Sequence, residues 1–493
     1  MECRANEGLE CGSEALCSPE LGEYPERARG SMNYISTSAD QQAEMLDTIG
    51  VSSVEELFAV IPAESRLQRP LDLPEPMSEL ELQREILSRA SLNTGAHTHA
   101  CFIGGGSYDH FVPSFIDQMV SRGEFLTAYT PYQGEASQGS LQAFFEFQTQ
   151  VARLAGMEIA NASLYEGASA AAEAVLMAIN VTGKTGVLVA ETLHPDYRRV
   201  IETVVADLPV ELMTVPARDG VIGAEEVGRL ADDRTACFVL QSPNAFGLIE
   251  ESEAAFAALK GREVTGHAPL AVAVFNPMAA ALLKSPGACG ADVAAGEGQP
   301  LGIPLQYGGP YLGLFAAKKE FMRKMPGRLV GQTVDAEGRR VFALSLQTRE
   351  QHIRGAKATS NVCTNQGLLA LRATMYMTAM GPAGIREVAE QCWHKAHWLA
   401  KKIEELEGYE LWKSGHKAGR FFNEFVVMCP VPAAKVIEHG KSMGLLPGLV
   451  VSGDRYPVAG GSTHGLMIAV TEKRTKGEMD LLIKCLKEVV KLG

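Results

Sequence analysis

No stretch of the 493 residues approaches the roughly 18 consecutive apolar positions that a membrane-spanning helix needs, so no membrane span is expected. The ten cysteines, at 3, 11, 17, 101, 237, 289, 363, 392, 429 and 485, include no CxxC pair that would set zinc ligands side by side. Buried thiols in a reducing cytoplasm account for them. Positive charge is short: 45 Lys and Arg stand against 59 Asp and Glu, a net charge of -14, which opposes binding to nucleic-acid phosphates or an anionic lipid surface. Residues 1–31 are rich in Glu, Gly, Ser and Arg and lack the apolar core of a secretory signal. They read as a disordered leader or an artefact, because RGS precedes Met32 and amphipathic helical text begins there. Internal repeats and low-complexity tracts are also missing from the rest of the chain.

What is present is globular: 46% of residues are hydrophobic and 21% charged, and the length calls for two or three structural units. Residues 32–95 read as an N-terminal helical arm, in which SVEELFAVI and MSELELQREILSRA are parted by the proline-laden RPLDLPEP. From 96 to 355 strand-like and helix-like segments alternate. The strands are expected at ASLY (162–165), GVLVAE (186–191), VELMTV (210–215), CFVLQ (237–241), LAVAVF (270–275) and LGLFAA (312–317), with helices such as ASAAAEAVLMAI and EAAFAALKG between them. That rhythm predicts an α/β domain with a mostly parallel sheet covered on both faces. Residues 356–493 change to long helical text and then a strand, helix, strand, helix order through FNEFVVMC, AAKVIEHGKSMG, GLMIAV and KGEMDLLIKCLKEVV, which predicts a smaller C-terminal α+β domain.

Four segments can carry chemistry. In CFIGGGSYDHFVP, Gly104, Gly105 and Gly106 permit unusual backbone angles, for a ligand or for a plain turn. In YEGASAAAEA, Gly167 and Ser169 open a helix after a strand, so helix N-terminal amides and a hydroxyl can meet a phosphate; close packing explains the same small residues. ETLHPDYRR sets His194 just after an apolar strand, either as a ring stacked on a planar ligand, as in many vitamin-B6 enzymes, or as a hydrogen-bonded loop residue. QTREQHIRGAKATSNVCTNQG gathers Arg349, His352, Arg354 and Lys357 and then Thr359, Ser360 and Asn361 ahead of a helix, which suits an anion or a solvated basic loop.

The stretch REQHIRGAKATSNVCTNQ, together with FIGGGSYDHFVP, TAYTPYQGEASQGSLQAFFEFQT, NASLYEGASAAAEA and QSPNAFGLIE, resembles the P-protein of the glycine cleavage system, the pyridoxal-phosphate-dependent glycine decarboxylase. The likeness runs in order from about residue 90 to 370 and is weaker beyond. The family occurs as one long chain with two similar halves or as separate α and β subunits, and this chain is similar to the α subunit. The resemblance implies a fold-type-I pyridoxal-phosphate-transferase-like large domain.

It also implies a difference. In the β-type half a Schiff-base lysine precedes Ile-Pro and a glycine run ending in Pro. Matching Ile303-Pro304 and Gly309-Pro310 to that pattern puts Gln299 in the lysine's place, and glutamine cannot form an imine. The aspartate that usually ends the preceding strand and keeps the pyridine nitrogen protonated is replaced by Asn276. Lys284, Lys318 and Lys319 lie nearby but outside the motif.

Gly167, Ser169, His194, Asn276 and Gln299 are therefore expected to form a vestigial pocket, with pyridoxal phosphate held covalently by a β subunit and none held covalently here. The implied partners are that β subunit in an α2β2 assembly, lipoylated H-protein, and glycine as substrate, in a bacterial or archaeal cytoplasm. No residue is expected to be catalytic in this chain alone. Tyr129, Thr130, Tyr132 and Gln133, with Arg349, His352, Lys357, Thr359, Ser360 and Asn361, are expected to be lent to a shared active site. The alternative expectation is a non-catalytic scaffold or regulatory half that stabilises the β subunit and docks H-protein. An independent pyridoxal enzyme using another lysine is a third.

Overall fold

The structure, a computed structural model, describes residues 36–67, 69, 71–126, 133–261, 264–362, 365–412, 420–453, 455–456 and 462–492. The described residues fall into two compact units divided after Arg89. In the first unit, Ser38 opens the helix Ala39–Ile49 with a capping box: the Gln41 N–H donates to Ser38 Oγ at 3.2 Å and the Ser38 N–H donates to Gln41 Oε1 at 2.9 Å. Gly50, at φ 86°, ends it. SVEELFAVI, read as one helix, forms only the turn Val54–Leu57, since the β-branched Val60 and Ile61 and then Pro62 do not continue it. Glu79–Ala90 is helical as expected, and none of these three helices buries a residue.

The second unit is built on a seven-stranded sheet in the order Ile159–Ala160, Gly313–Ala317, Val293–Glu297, Leu270–Phe275, Thr235–Ser242, Gly186–Ala190, Glu211–Val215. From Val293–Glu297 onward every neighbouring pair is parallel, while Gly313–Ala317 runs antiparallel to both of its neighbours. The parallel strands read as unbroken apolar runs because both of their faces are covered. Val187, Val189, Cys237 and Val239 pack with the helix Gly167–Thr182, while the alternate residues Leu188, Ala190, Phe238 and Leu240 pack with Val227 and Phe256 of the helices Ala224–Leu230 and Ser252–Lys260.

Two strand readings change. ASLY is not a strand: the pairing lies earlier, at Ile159–Ala160, and Leu164 makes only an isolated bridge to Gly313. Ser163 interrupts the run at φ 93°, its N–H held by Asn161 Oδ1 at 3.2 Å. Val293–Glu297, absent from the sequence reading, is a full strand whose Ala and Gly carry little β-propensity; burial between two neighbours makes it extended.

Toward the C-terminus the helical text Gly367–Glu404 breaks at Gly381, where φ is 61°, before Pro382. A four-stranded antiparallel sheet follows, ordered Glu410–Leu411, Glu424–Met428, Gly465–Ala469, Leu449–Val451, with the helices Ala433–Ser442 and Lys476–Val489. Phe425, Val427, Leu466 and Ile468 join Leu482 and Leu486 in its core. Among the described residues no helix is long and apolar enough to cross a membrane.

Candidate functional site

The carboxyl ends of the strands Thr235–Ser242, Leu270–Phe275 and Val293–Glu297 open into a cleft lined by Gln241, Asn276, Glu297, Tyr108, Asn423 and Glu424, among others. Strand ends of a parallel sheet are where ligands of such folds bind. The cleft has one wall made by the glycine loop. The Gly105 N–H donates to Glu424 Oε1 at 2.6 Å, and the Tyr108 hydroxyl donates to Glu424 Oε2 at 3.1 Å. Gly104 lies so close that a Cβ there would collide with the Glu424 carboxylate, which gives the first of the three glycines a definite task.

Gln299 pins the other side of that loop. It is 1% exposed; its Nε2 donates to the carbonyls of Tyr108 at 3.0 Å and Ile303 at 2.8 Å, while its Oε1 accepts from the Tyr108 N–H at 2.9 Å. Asn276 turns its Oδ1 onto the N–H groups of Met278 and Ala279, at 2.9 and 3.2 Å. His194 accepts from the Asp196 N–H through Nδ1 at 3.2 Å, so its Nε2 carries the hydrogen and donates to the Gly105 carbonyl at 2.9 Å. Burial lowers the His194 pKa and favours this neutral ring. The histidine thus fastens the glycine loop.

The helix that starts at Gly167 has its amides already filled. Glu166 accepts from the Ala168 N–H at 2.6 Å, the Ser169 N–H at 3.0 Å and the Ser169 hydroxyl. Glu297 accepts from the Gly167 N–H at 3.0 Å and from the N–H groups of Gln299 and Leu312 at 2.9 and 3.0 Å. The Tyr197 hydroxyl occupies the space a Cβ on Gly167 would take. Burial pushes the carboxyls of Glu297 and Glu424 up to about 7 each, against the N–H donors that favour their ionised forms.

Pyridoxal phosphate does not fit these residues. Its phosphate would have to displace two carboxylates from the helix N-terminus, and no lysine is among the described residues that line the cleft. Two of the neighbouring lysines are engaged elsewhere, Lys284 Nζ with Glu253 at 2.6 Å and Lys318 Nζ with Asp292 at 2.5 Å, and Lys319 is exposed and does not line the cleft.

The turn from 347 to 362 distributes its charges differently. Arg349 is buried and donates to the carbonyls of Leu346 at 3.2 Å, Gly327 at 3.0 Å and Met325. Thr359 and Ser360 sit beside it, lining a second small cleft with Arg349 and Glu350. The Thr359 N–H donates to the Arg349 carbonyl at 3.1 Å, and Ser360 Oγ accepts from the Val362 N–H at 3.0 Å. His352, Lys357 and Asn361 are exposed. Gln133 is exposed and uses its carbonyl to cap the turn into the next helix, while Tyr129, Thr130 and Tyr132 lie outside the described residues.

Sequence reasoning missed Glu166, Glu297, Tyr108, Tyr197, Asn423 and Glu424. The signal was available for one pair: Asn423-Glu424 interrupts the apolar run FFNEFVVMC, and a polar pair inside such a run is a buried polar pair. A further group, the buried His110 and Cys392 with the half-buried Glu472, sets three potential metal-ligand atoms within 4.8 Å. Glu472 accepts from His110 Nδ1 at 2.7 Å, the Phe111 N–H at 2.7 Å and the Cys392 thiol at 3.4 Å. Burial alone would raise its pKa, but His110 and the Phe111 N–H together outweigh burial and bring it down to about 2. With its oxygens spent on protein donors, Glu472 is a staple between the 108–111 loop and the helix Gly367–Glu404.

Comparison with known proteins places this geometry. The profile of the family described as glycine cleavage system P-protein matches residues 32–486. A probable glycine dehydrogenase (decarboxylating) subunit 1 of Thermomicrobium roseum is 46% identical over 453 residues, covering 92% of this chain and 98% of that protein. The corresponding subunit 1 of Prosthecochloris aestuarii is 46% identical over 454 residues, covering 92% and 99%. Among solved structures, glycine decarboxylase (P-protein) of the glycine cleavage system in inhibitor-bound form superposes with a TM-score of 0.85 at 42% identity, over 93% of this chain and all of that one.

Proposed function

The chain belongs to the glycine cleavage system P-protein family, and we propose that it works as subunit 1 of a two-chain glycine dehydrogenase (decarboxylating). The reaction releases the carboxylate of glycine as CO2 and passes the aminomethyl group to the oxidised lipoyl arm of H-protein, whose disulfide takes up the electrons. A second subunit holds pyridoxal phosphate covalently and supplies the electron sink; two copies of each chain form the assembly, in the cytoplasm. This chain supplies walls and side chains to the shared site.

The observation that carries this reading is the closed helix N-terminus: Glu166 and Glu297 hold the amides that would otherwise grip a cofactor phosphate. Exposed apolar side chains agree with a partner, among them Phe111, Tyr307 and Ile353, at 58%, 86% and 53% exposure. In this reading Thr359, Ser360 and the exposed Asn361 donate across the interface with the second subunit, and Tyr129, Thr130, Tyr132 and Gln133 are lent with them. The scaffold alternative gains nothing from the relatives, which carry the enzyme's name. Replacing Asn361 with Ala in the reconstituted complex tests the lending: turnover should fall about tenfold, roughly 1.4 kcal/mol of barrier, with assembly intact by size-exclusion chromatography. Unchanged turnover would remove Asn361 from the site.

A further inference from the structure

The strand-end cleft is costly to build if it binds nothing. Asn423 and Glu424 are 2% and 4% exposed, inside a run that is otherwise apolar. The Asn423 backbone is fixed, its carbonyl accepting from the Val470 N–H at 2.8 Å, yet its side-chain Nδ2 has no hydrogen-bond partner among the described residues. A buried amide left without an acceptor, beside a buried carboxylate, is a standing loss of stability unless a bound group answers it. Both side chains line the same cleft, and Glu297 lines it with them.

The chemistry of the walls selects the sign of the occupant. Among the described residues lining the cleft, Glu297 and Glu424 are the charged ones, and no described Lys, Arg or His shares it. Glu424 uses one donor at each oxygen, from Gly105 and Tyr108, and so keeps a lone pair free on each. Asn423 Nδ2 supplies a donor in search of an oxygen. The cavity volume is about 40 Å3, room for roughly three waters or a ligand of four or five non-hydrogen atoms.

We infer that this cleft is a binding site for a small primary amine that also carries an oxygen acceptor, the ammonium group meeting Glu424 and Glu297 and the oxygen meeting Asn423. The inference does not depend on which chain of the enzyme holds the cofactor. It assigns the cleft to a cation, where the fold's usual occupant carries an anionic phosphate.

Ethanolamine and glycinamide are suitable probes, with acetate and inorganic phosphate as anionic counterparts, titrated calorimetrically into the purified full chain and into its complex. The amines should saturate one site per chain and the anions should show no binding. Glu424→Gln should weaken the amines at least tenfold. Asn423→Leu should do the same while raising the Tm of the ligand-free chain, because it removes an unanswered amide; a merely structural asparagine would lower Tm on that change. In the complex, the difference between wild type and the variants isolates this cleft from any amine taken up by the partner. Phosphate binding as tightly as the amines, no amine binding at all, or wild-type affinity in both variants would overturn the assignment.

Discussion

The strand-end cleft and the 347–362 turn belong to one compact unit but use their charges in opposite ways. In the cleft the acids face inward: Glu166 and Glu297 close a helix N-terminus, and Glu424 anchors the glycine loop. In the turn the one cation that faces inward, Arg349, is consumed by three backbone carbonyls, and His352, Lys357 and Asn361 remain exposed. The contrast separates groups that hold this chain's own backbone from exposed groups that hold none of it. Substitutions in the first class should therefore register as stability, and substitutions in the second as activity of the assembled enzyme.

Gln299→Lys breaks the comparison most sharply. It removes three hydrogen bonds at a site that is 1% exposed and buries an ammonium in their place, at a cost of roughly 3–5 kcal/mol. The variant should also fail to retain pyridoxal phosphate after borohydride reduction and peptide mapping, because Glu166 and Glu297 still occupy the amides. Retention of the label on Lys at 299 would mean that the missing amine alone had kept the cofactor out.

Arg349→Ala comes next. It strips the donors from the carbonyls of Met325, Gly327 and Leu346, and urea unfolding should show a loss of about 2–4 kcal/mol. Lys357→Ala, eight residues on and exposed, should stay within about 0.5 kcal/mol of wild type in the same measurement. Equal losses in the two would erase the distinction between the regions.

A smaller effect concerns pH. The Glu297 and Glu424 carboxyls rise from 4.5 to about 7 on folding because they are buried. The folded chain keeps protons that the unfolded chain releases near 4.5, so the stability these two groups contribute is complete below that pH and is lost as pH climbs through about 7. Glu424→Gln should flatten the decline in stability between pH 5 and pH 8, by roughly 2–3 kcal/mol in unfolding free energy. A decline of unchanged steepness would place the titration elsewhere.

How much of this was legible in the sequence follows from range. The parallel strands were readable because LAVAVF and its like are apolar on both faces, a property of the segment itself. Val293–Glu297 was not, since Ala and Gly take their extended form from the neighbours Leu270–Phe275 and Gly313–Ala317. The small residues of the YEGAS turn fit a phosphate or close packing equally well; what closes the turn is Glu166 within the segment and Glu297, which lies 130 positions away from Gly167. Arg349 looked like part of a basic cluster because composition does not reveal that its fork would be met by the carbonyls of residues 325 and 327. Gln299 and Asn276 stood out only through likeness to a family pattern, and their hydrogen bonds supply the physical content that the pattern lacked.

The most direct test is glycine–bicarbonate exchange by the purified chain with pyridoxal phosphate and H-protein, measured with and without the second subunit. The predicted result is no exchange by this chain alone and full exchange once the second subunit is added. Steady exchange by this chain alone would contradict the account.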